Sequence, residues 1–327
     1  MRLAKVHFAR GLVAAFLVLS GTVSHGGTDG YALRSAFLAN PTVQKKTHMH
    51  GNQWLTVSNW GQFGAEHDIR YYSCVFPAGS DMEYLFWGGL WLGALVGDDT
   101  LVSTGCEGWS GAYSVFYPTD DPGDTIIERS ILPGSPYYDT SAVSEQDFCC
   151  AYSDTYTDPD LVGEDHRPLG IKVYQKTYVF SHPAAEDIVF LDFTMANIGP
   201  FRLRDLYMGL YIDGDCGPFG SQYSYYKAQD DVTGFRRWAT LAADTLWNHR
   251  LRTNTAWTAN ACRIGLIGNC YGIETPDVTG ARVLISPNPR LHLAYNWWFS
   301  DQSPVRDWGP WNPENPKDSL LQIYAQH

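Results

Sequence analysis

An alternation of aspartate and glycine at positions 213–217 is the most chemically specific pattern in the sequence. Asp213 and Asp215 flank Gly214 at the end of a predicted strand, and Asp230 and Asp231 follow a short tyrosine-rich segment. Carboxylates spaced in this way can direct several oxygens to one point, as Ca²⁺ requires. The chain has no EF-hand glutamate about twelve residues after the first aspartate. These four aspartates are therefore the predicted ligands of a candidate Ca²⁺ site, although the pattern favours the alternative of a solvated turn.

A second acidic stretch precedes another predicted strand and offers a weaker Ca²⁺ candidate, formed by Asp154, Asp158, Asp160, Glu164 and Asp165. The competing interpretation is a loop whose carboxylates face water. We favour the water-facing loop for this stretch.

Two histidines near the start of the predicted mature chain have a spacing that suits a metal. His48 and His50 are two residues apart, which places both on one side of a strand. The nearby sequence supplies no third ligand. We therefore favour an exposed surface pair over a transition-metal site.

Aromatic residues are abundant, with 12 Trp, 20 Tyr and 15 Phe, and several are clustered. Exposed tyrosine and tryptophan rings stack on sugars or anchor protein partners at a small entropic cost. The residues that we predict for such a binding surface are Tyr223, Tyr225, Tyr226, Trp297 and Trp298, with Trp308 and Trp311 as a further pair. Packing in a β-sandwich core is the alternative role for these rings, and it is the one that the composition favours.

Several catalytic motifs are missing from the sequence. It has no Gly-x-Ser-x-Gly elbow, no His-Glu-x-x-His zinc motif, no phosphate-binding loop and no dinucleotide fingerprint. A pair of carboxylates for glycoside hydrolysis stays open, because such a pair needs only a separation of about 5 to 9.5 Å in the fold. The candidates include Glu66, Glu83, Glu107, Glu128 and Glu145.

The N-terminus has the order of a secretory signal peptide. Arg2, Lys5 and Arg10 precede an apolar run over 12–19, and small residues follow up to Ser24. The run is shorter than the roughly 20 apolar residues that span a bilayer. We predict cleavage after Ser24, a secreted or cell-surface location, and no transmembrane segment in the mature chain.

Composition and charge indicate a folded, acidic protein. Hydrophobic residues make up 44% and charged residues 18%, which favours a packed core over disorder. Removing the three basic residues of the leader from 23 leaves 20 against 35 acidic ones, a mature charge of −15. Such a surface repels phosphate, so nucleic-acid binding is disfavoured.

Seven cysteines in an exported chain permit disulfides, although an odd number leaves at least one unpaired. Cys262 and Cys270 flank a short glycine-containing segment and form a candidate pair across a hairpin; two small buried residues are the alternative. No Cys-x-x-Cys motif is present, so a zinc cluster is disfavoured.

Apolar and polar residues alternate over 171–180, 189–196 and 205–212, which predicts three half-buried strands. Short connections containing Pro183 or Gly199-Pro200 favour antiparallel neighbours. Further strands are predicted over 263–267, 282–286 and 291–299. The chain is therefore predicted to be all-β, an antiparallel β-sandwich with long loops and little helix.

Helix signals are few. Ser144 and Asp147 match a Ser-x-x-Asp/Glu capping pattern, which predicts a short helix over 145–152. Two other brief helix candidates are 244–250 and 319–325.

The predicted organisation has four parts. A signal peptide over 1–24 precedes loop-rich strands over 25–80 that pack on the main domain. A β-sandwich domain over 81–303 is followed by an irregular arm over 304–327 that is rich in Pro, Trp and Asn. The abrupt end of this arm predicts a truncated product or a missing downstream domain.

Several strings are similar in order to those of uncharacterised exported β-rich proteins from Bacteroidetes-type bacteria, over roughly 51–310. They are Phe86-Trp87-Gly88-Gly89-Leu90-Trp91, Ser144-Glu145-Gln146-Asp147-Phe148, Pro168-Leu169-Gly170-Ile171, Tyr211-Ile212-Asp213-Gly214-Asp215 and Tyr295-Asn296-Trp297-Trp298. The resemblance implies a surface or released product, often with a C-terminal type IX secretion sorting domain. This chain carries no such tail, and the resemblance supplies no catalytic residue.

These observations favour an exported, non-catalytic β-sandwich protein with a structural or adhesion role, whose partner is an extracellular protein or glycan. The alternative is a carbohydrate-active protein, either a lectin-like binder or a glycosidase.

Overall fold

The computed structural model describes residues 15–19, 42–65, 68–106, 114–119, 125–163, 166–219, 231–240, 250–260, 275–287 and 293–297. These residues are almost entirely β-strands and connecting loops, with one short helix among them, α1 (Pro159–Val162). The predicted all-β class is confirmed. In this described part of the chain, no helix is long and apolar enough to cross a membrane.

Seventeen strands are described: β1 (Ala15–Leu19), β2 (Lys45–His48), β3 (Trp54–Ser58), β4 (Gln62–Phe63), β5 (Cys74–Val75), β6 (Met82–Glu83), β7 (Trp87–Val96), β8 (Asp99–Thr104), β9 (Ile127–Arg129), β10 (Gln146–Ser153), β11 (Ile171–Val179), β12 (Val189–Asn197), β13 (Leu203–Asp213), β14 (Gly217–Pro218), β15 (Asp231–Thr240), β16 (Arg250–Asn260) and β17 (Val278–Ile285).

The strands form two sheets. One has eight strands in the order β15-β16-β17-β1-β12-β11-β10-β9. The other has nine, ordered β13-β7-β4-β3-β5-β6-β14, with β2 paired to β3 and β8 paired to β7. Every pairing between these strands is antiparallel except the two made by β1, which runs parallel to β12 and β17.

Apolar side chains from both sheets meet in one core. Phe63 of the nine-stranded sheet contacts Phe193 of the eight-stranded sheet, with ring centroids 6.1 Å apart. Strand β11 buries alternate residues, including Ile171 and Val173, and exposes Tyr174, as expected for a strand with one face in a core. Two sheets packed face to face in this way make the predicted β-sandwich.

The three strands predicted over 169–213 are all present, but the third lies in a different sheet. Strands β11 and β12 form an antiparallel pair, as expected. Strand β13 instead pairs with β7, so the chain crosses between sheets after Asn197. Gly170 and Gly199 touch at this crossing, since a Cβ on Gly170 would lie 2.7 Å from the Gly199 Cα. Alternation alone does not specify which partner a strand takes.

The predicted helix over 145–152 is wrong, because these residues form strand β10. The contacts of the capping motif are nevertheless made: the backbone N–H groups of Val143 and Ser144 donate to the Asp147 carboxylate over 2.7 and 2.8 Å. All eight residues of strand β10 pair with β11, and residues 147–149 also pair with β9. Cross-strand pairing therefore outweighs the local helix signal.

The remaining strand and helix predictions have mixed outcomes. The strand predicted over 282–286 corresponds to β17. Residues 293–297 are described without a strand, unlike the strand predicted over 291–299. The segments 263–267, 244–249 and 319–325 lie outside the described residues.

Two segments of the predicted organisation take part in the sheets. Strands β2 to β5, from the region predicted as N-terminal strands, lie in the same sheet as β7. Residues 15–19, from the apolar run of the predicted leader, form β1 between β12 and β17.

Candidate functional site

The end of β13 is the place where the sequence-predicted aspartates meet a cluster of aromatic residues. Asp213 is half-buried and lies opposite Trp87 in the pairing of β13 with β7. Two residues earlier on β13, Tyr211 lies opposite Gly89. The carboxyl group at the end of the strand is thereby held beside the rings of two neighbouring strands.

Trp87, Cys106 and Tyr211 form a small buried cluster, with Phe86 and Trp91 packed at its rim. The rings of Trp91 and Tyr211 are stacked, with centroids 5.2 Å apart and planes within 10°. The Trp91 indole N–H donates to the Cys106 carbonyl over 2.8 Å. This bond and the stacking fix the orientation of the half-buried Trp91 ring.

Gly89 permits this cluster to form. A Cβ at position 89 would lie 2.6 Å from the Cys106 Sγ and 2.8 Å from the Cys106 backbone nitrogen. Any larger residue would force the segment carrying Cys106 away from β7. The sequence shows this glycine, but no local signal indicates what approaches it.

Asp213 has an unusual protonation equilibrium. Burial raises the pKa of Asp213 to about 6, while the neighbouring Tyr211 hydroxyl and Trp87 indole act in the opposite direction. The Tyr211 hydroxyl donates to Asp213 Oδ2 over 3.3 Å. Burial also raises the pKa of Tyr211 and of the Cys106 thiol, so both stay protonated at neutral pH. Asp213 is therefore the group in this cluster that exchanges a proton near neutral pH.

The loop after Asp213 is anchored against the other sheet. Gly214 packs on Thr258 of β16, where a Cβ would lie 2.3 Å from the Thr258 Cγ2. The backbone N–H of Cys216 donates to Asp231 Oδ2 over 2.6 Å. Asp215 is buried within the loop. Asp231 thus holds the loop in place, a role that the sequence pattern did not indicate.

The structure describes three of the four aspartates that were predicted to bind calcium. Asp213, Asp215 and Asp231 are described, and Asp230 lies outside the described residues. Across the described ranges, no group of three or more His, Cys, Asp or Glu side chains is arranged to hold a metal ion. The calcium site stays a prediction.

Of the second acidic stretch, one described residue is buried and two are exposed, and Glu164 and Asp165 lie outside the described residues. Asp158 and Asp160 are exposed, and Asp158 caps α1 by accepting from the Asp160 N–H. Asp154 is fully buried and accepts hydrogen bonds from Ser103 Oγ and from the backbone N–H groups of Leu169 and Ile171, over 2.7 to 2.8 Å. The water-facing interpretation is therefore wrong for Asp154, which satisfies backbone donors inside the sandwich.

The interpretation of His48 and His50 as a surface pair is wrong. Strand β2 ends at His48, so the two side chains separate: His50 is exposed and His48 is 0% exposed. His48 Nε2 lies 2.6 Å from Thr177 Oγ1, and the imidazole stacks on Phe148 with centroids 4.1 Å apart. Burial lowers the pKa of His48 to about 3, so the ring is neutral at physiological pH.

The predicted aromatic binding surface is mostly outside the described residues. Tyr223, Tyr225, Tyr226 and Trp298 are not described, and Trp297 is half-buried. Tyr295, two residues before Trp297, stacks on Phe235 of β15 with centroids 5.4 Å apart. A role for these residues in binding stays a prediction.

A different set of apolar side chains is exposed along β13 and the turn before it. We refer to Phe201, Leu206 and Tyr207 as the β13 surface; Tyr207 is 74% and Phe201 64% exposed. Ile212 is also exposed, but it lies on the opposite face of β13 from Tyr207. The alternation of the sequence predicted Leu206 and Ile212 on the buried face. The pairing of β13 with β7 shifts between Arg204 and Tyr207, where Asp205 has a φ of 48°. This irregularity leaves Leu206 exposed.

The cysteines whose structure is described are all free thiols: Cys74, Cys106, Cys149, Cys150 and Cys216. Cys149 is half-buried and Cys150 is buried, as expected for adjacent residues of a strand. Cys262 and Cys270 lie outside the described residues, so their predicted pairing stays a prediction.

Comparisons of the chain with protein-family models, with curated proteins and with solved structures found no match.

Proposed function

We propose that this chain is an exported, non-catalytic β-sandwich protein that binds an extracellular protein or glycan in a structural or adhesion role. The observation that carries the binding role is the β13 surface. Exposed apolar and aromatic side chains concentrated on one part of a protein mark interaction sites. Tyrosine and phenylalanine also supply a large contact area with few rotatable bonds.

Three features of the sequence support the location outside the cytoplasm. The leader pattern, the acidic charge of the mature chain and the resemblance to exported Bacteroidetes-type proteins are consistent with a secreted or surface protein. We retain bound Ca²⁺ at Asp213, Asp215, Asp230 and Asp231 as part of the same proposal, since acidic side chains of extracellular proteins commonly bind hard cations.

Binding by the β13 surface predicts a selective loss on substitution. The mature chain would be tested for retention on cellulose, chitin and xylan, and on collagen- and fibronectin-coated surfaces. We expect the Phe201→Ser/Tyr207→Ser variant to lose at least tenfold in affinity for whichever surface retains the native chain. The matched control is Tyr174→Ser, because Tyr174 is 44% exposed on the other sheet.

Equal retention of the two variants would contradict the assignment of the β13 surface. Circular dichroism and thermal melting of both variants would show that neither loses its fold.

A second function is favoured by one observation, the position of Asp213 beside the stacked rings of Trp91 and Tyr211. A carboxyl group with a pKa of about 6 can act as a general acid near neutral pH. Of the rings in this cluster, Trp91 is only half-buried, and an aromatic ring suits the face of a sugar. This arrangement supports a carbohydrate-active protein.

The same polysaccharides distinguish the two functions. Release of reducing sugars that is abolished by Asp213→Asn, with unchanged retention on the polysaccharide, would overturn the non-catalytic proposal. Retention without sugar release would support a lectin-like binder.

A further inference from the structure

Strand β1 has a special position in the eight-stranded sheet. In the described sheet, β12 and β17 each pair with β1 and not with each other. Strand β1 therefore joins a group of three strands, β15 to β17, to a group of four, β9 to β12. Without it, the sheet has a gap one strand wide.

The predicted leader contains this strand. Cleavage after Ser24 removes residues 15–19 and leaves β12 and β17 with unpaired N–H and C=O groups along facing edges. Unpaired backbone groups at a sheet edge are a template for an added strand, and each is costly when it is kept from water.

We propose that the mature protein takes an extended segment of a partner protein, apolar at every second position, into the gap between β12 and β17. The segment would run parallel to both strands and would complete the sheet by strand addition. This inference rests on the proposed export of the chain, because a chain that keeps residues 15–19 has no gap.

The register of β1 defines the chemistry of the segment. Leu17 and Leu19 are aligned with Leu191 and Phe193, whose side chains are buried in the core. The alternate position, Val18, is aligned with the half-buried Asp192. Since aligned residues of neighbouring strands share a face of the sheet, an inserted strand needs apolar residues at every second position and tolerates polar ones between them.

An inserted strand suits this gap better than a second copy of the chain does. A symmetric dimer formed through β12 would pair β12 with β12 in antiparallel orientation and would leave β17 unpaired. The gap takes a strand that is parallel on both sides. One extended segment satisfies both edges at once.

The free edge of β13 differs from the edges of the gap. The irregularity at Asp205 and the charged Arg204 interrupt its regular hydrogen-bonding row. Bulges and charges of this kind discourage strand addition. The four residues of β12 that pair with β1 include one acidic residue, Asp192, and the four residues of β17 that pair with β1 include one basic residue, Arg282.

The test uses the mature chain, residues 25–327, and a labelled peptide that carries residues 15–19 between solubilising lysines. We expect saturable binding by fluorescence anisotropy and slower hydrogen exchange of backbone amides in β12 and β17. Leu17→Lys in the peptide should weaken binding at least tenfold, because position 17 is aligned with the core. The matched control, Val18→Lys, should change it less than threefold.

Absence of binding, or equal effects of the two lysine substitutions, would overturn the inference. Protection, in the mature chain without peptide, of the β12 and β17 amides that face the gap would do so as well, because it would mean that the gap is already closed. N-terminal sequencing of the protein from producing cells separates this from a failure of the proposed export: a chain that retains residues 15–19 contradicts export itself.

Discussion

At the scale of residues, three hydrogen bonds between buried polar groups connect the two sheets. His48 of β2 meets Thr177 of β11, and Ser103 of β8 donates to Asp154 after β10. Gln175 Nε2 donates across the core to the Ser58 carbonyl over 3.2 Å. Apolar packing alone tolerates small shifts between sheets, whereas buried hydrogen bonds tolerate none without leaving a group unsatisfied. These contacts therefore select one alignment of the sandwich.

The lowered pKa of His48 predicts a loss of stability in acid. Between pH 6.5 and about 3 the unfolded chain binds a proton at His48 that the folded chain does not, so the free energy of unfolding falls as the pH falls. The slope is at most about 1.4 kcal/mol per pH unit. Urea denaturation from pH 7 to 4 should show this slope reduced in His48→Gln.

Asp213 should change the pH dependence of stability in the opposite direction and therefore serves as a control. Its pKa is raised to about 6, so between pH 3.8 and 6 the folded chain holds a proton that the unfolded chain has lost. Its contribution to stability is thus greatest in acid and declines as the pH rises through this window. Asp213→Asn should steepen the loss of stability in acid, and the same pH dependence in native chain and His48→Gln would contradict the role given to His48.

At the scale of elements, strand β10 illustrates how pairing decides conformation. Its N-terminal side has a helix-capping motif whose backbone contacts are formed, yet the following residues pair with β9 and β11. Phe148 and Tyr152 are buried in the sandwich, where aromatic residues favour a strand. The β11 and β12 pair, in contrast, follows directly from local alternation and a short connection.

Close approach of elements also explains why β7 needs glycine at one position and not at another. Gly89→Ala should lower the free energy of unfolding by about 1–3 kcal/mol, because its Cβ would overlap the Cys106 backbone and sulfur. Gly93→Ala on the same strand is the matched control, since its nearest neighbours would lie 3.7 Å away. Urea denaturation of both variants measures the difference.

A similar loss of stability in the two variants would mean that replacing any glycine of strand β7 by alanine lowers the free energy of unfolding. The contact with Cys106 would then not be the reason for glycine at position 89.

At the scale of the whole molecule, the mature chain combines a formal charge of −15 with a predicted Ca²⁺ site. A ligand that binds only the folded state raises the melting temperature. We expect excess Ca²⁺, added after chelation, to raise the melting temperature by several degrees. Mg²⁺ at the same ionic strength is the control, because an acidic protein also gains stability from charge screening.

Equal melting temperatures with Ca²⁺, Mg²⁺ and chelator would contradict the predicted Ca²⁺ site. Loss of the Ca²⁺ effect in Asp215→Asn, with retention in Asp158→Asn, would assign the ion to the predicted site that contains Asp215.

The amino-acid sequence by itself determined the all-β class, the antiparallel pair β11 and β12, and the candidate status of Asp213, because composition, alternation and turn residues act over a few neighbouring positions. Only the tertiary structure decided that β13 joins the other sheet, that His48 and Asp154 are buried, and that Trp91 and Tyr211 stack beside Asp213. Those outcomes depend on contacts between residues far apart in the chain, such as His48 with Thr177. Local pattern carries no information about which distant strand supplies the partner.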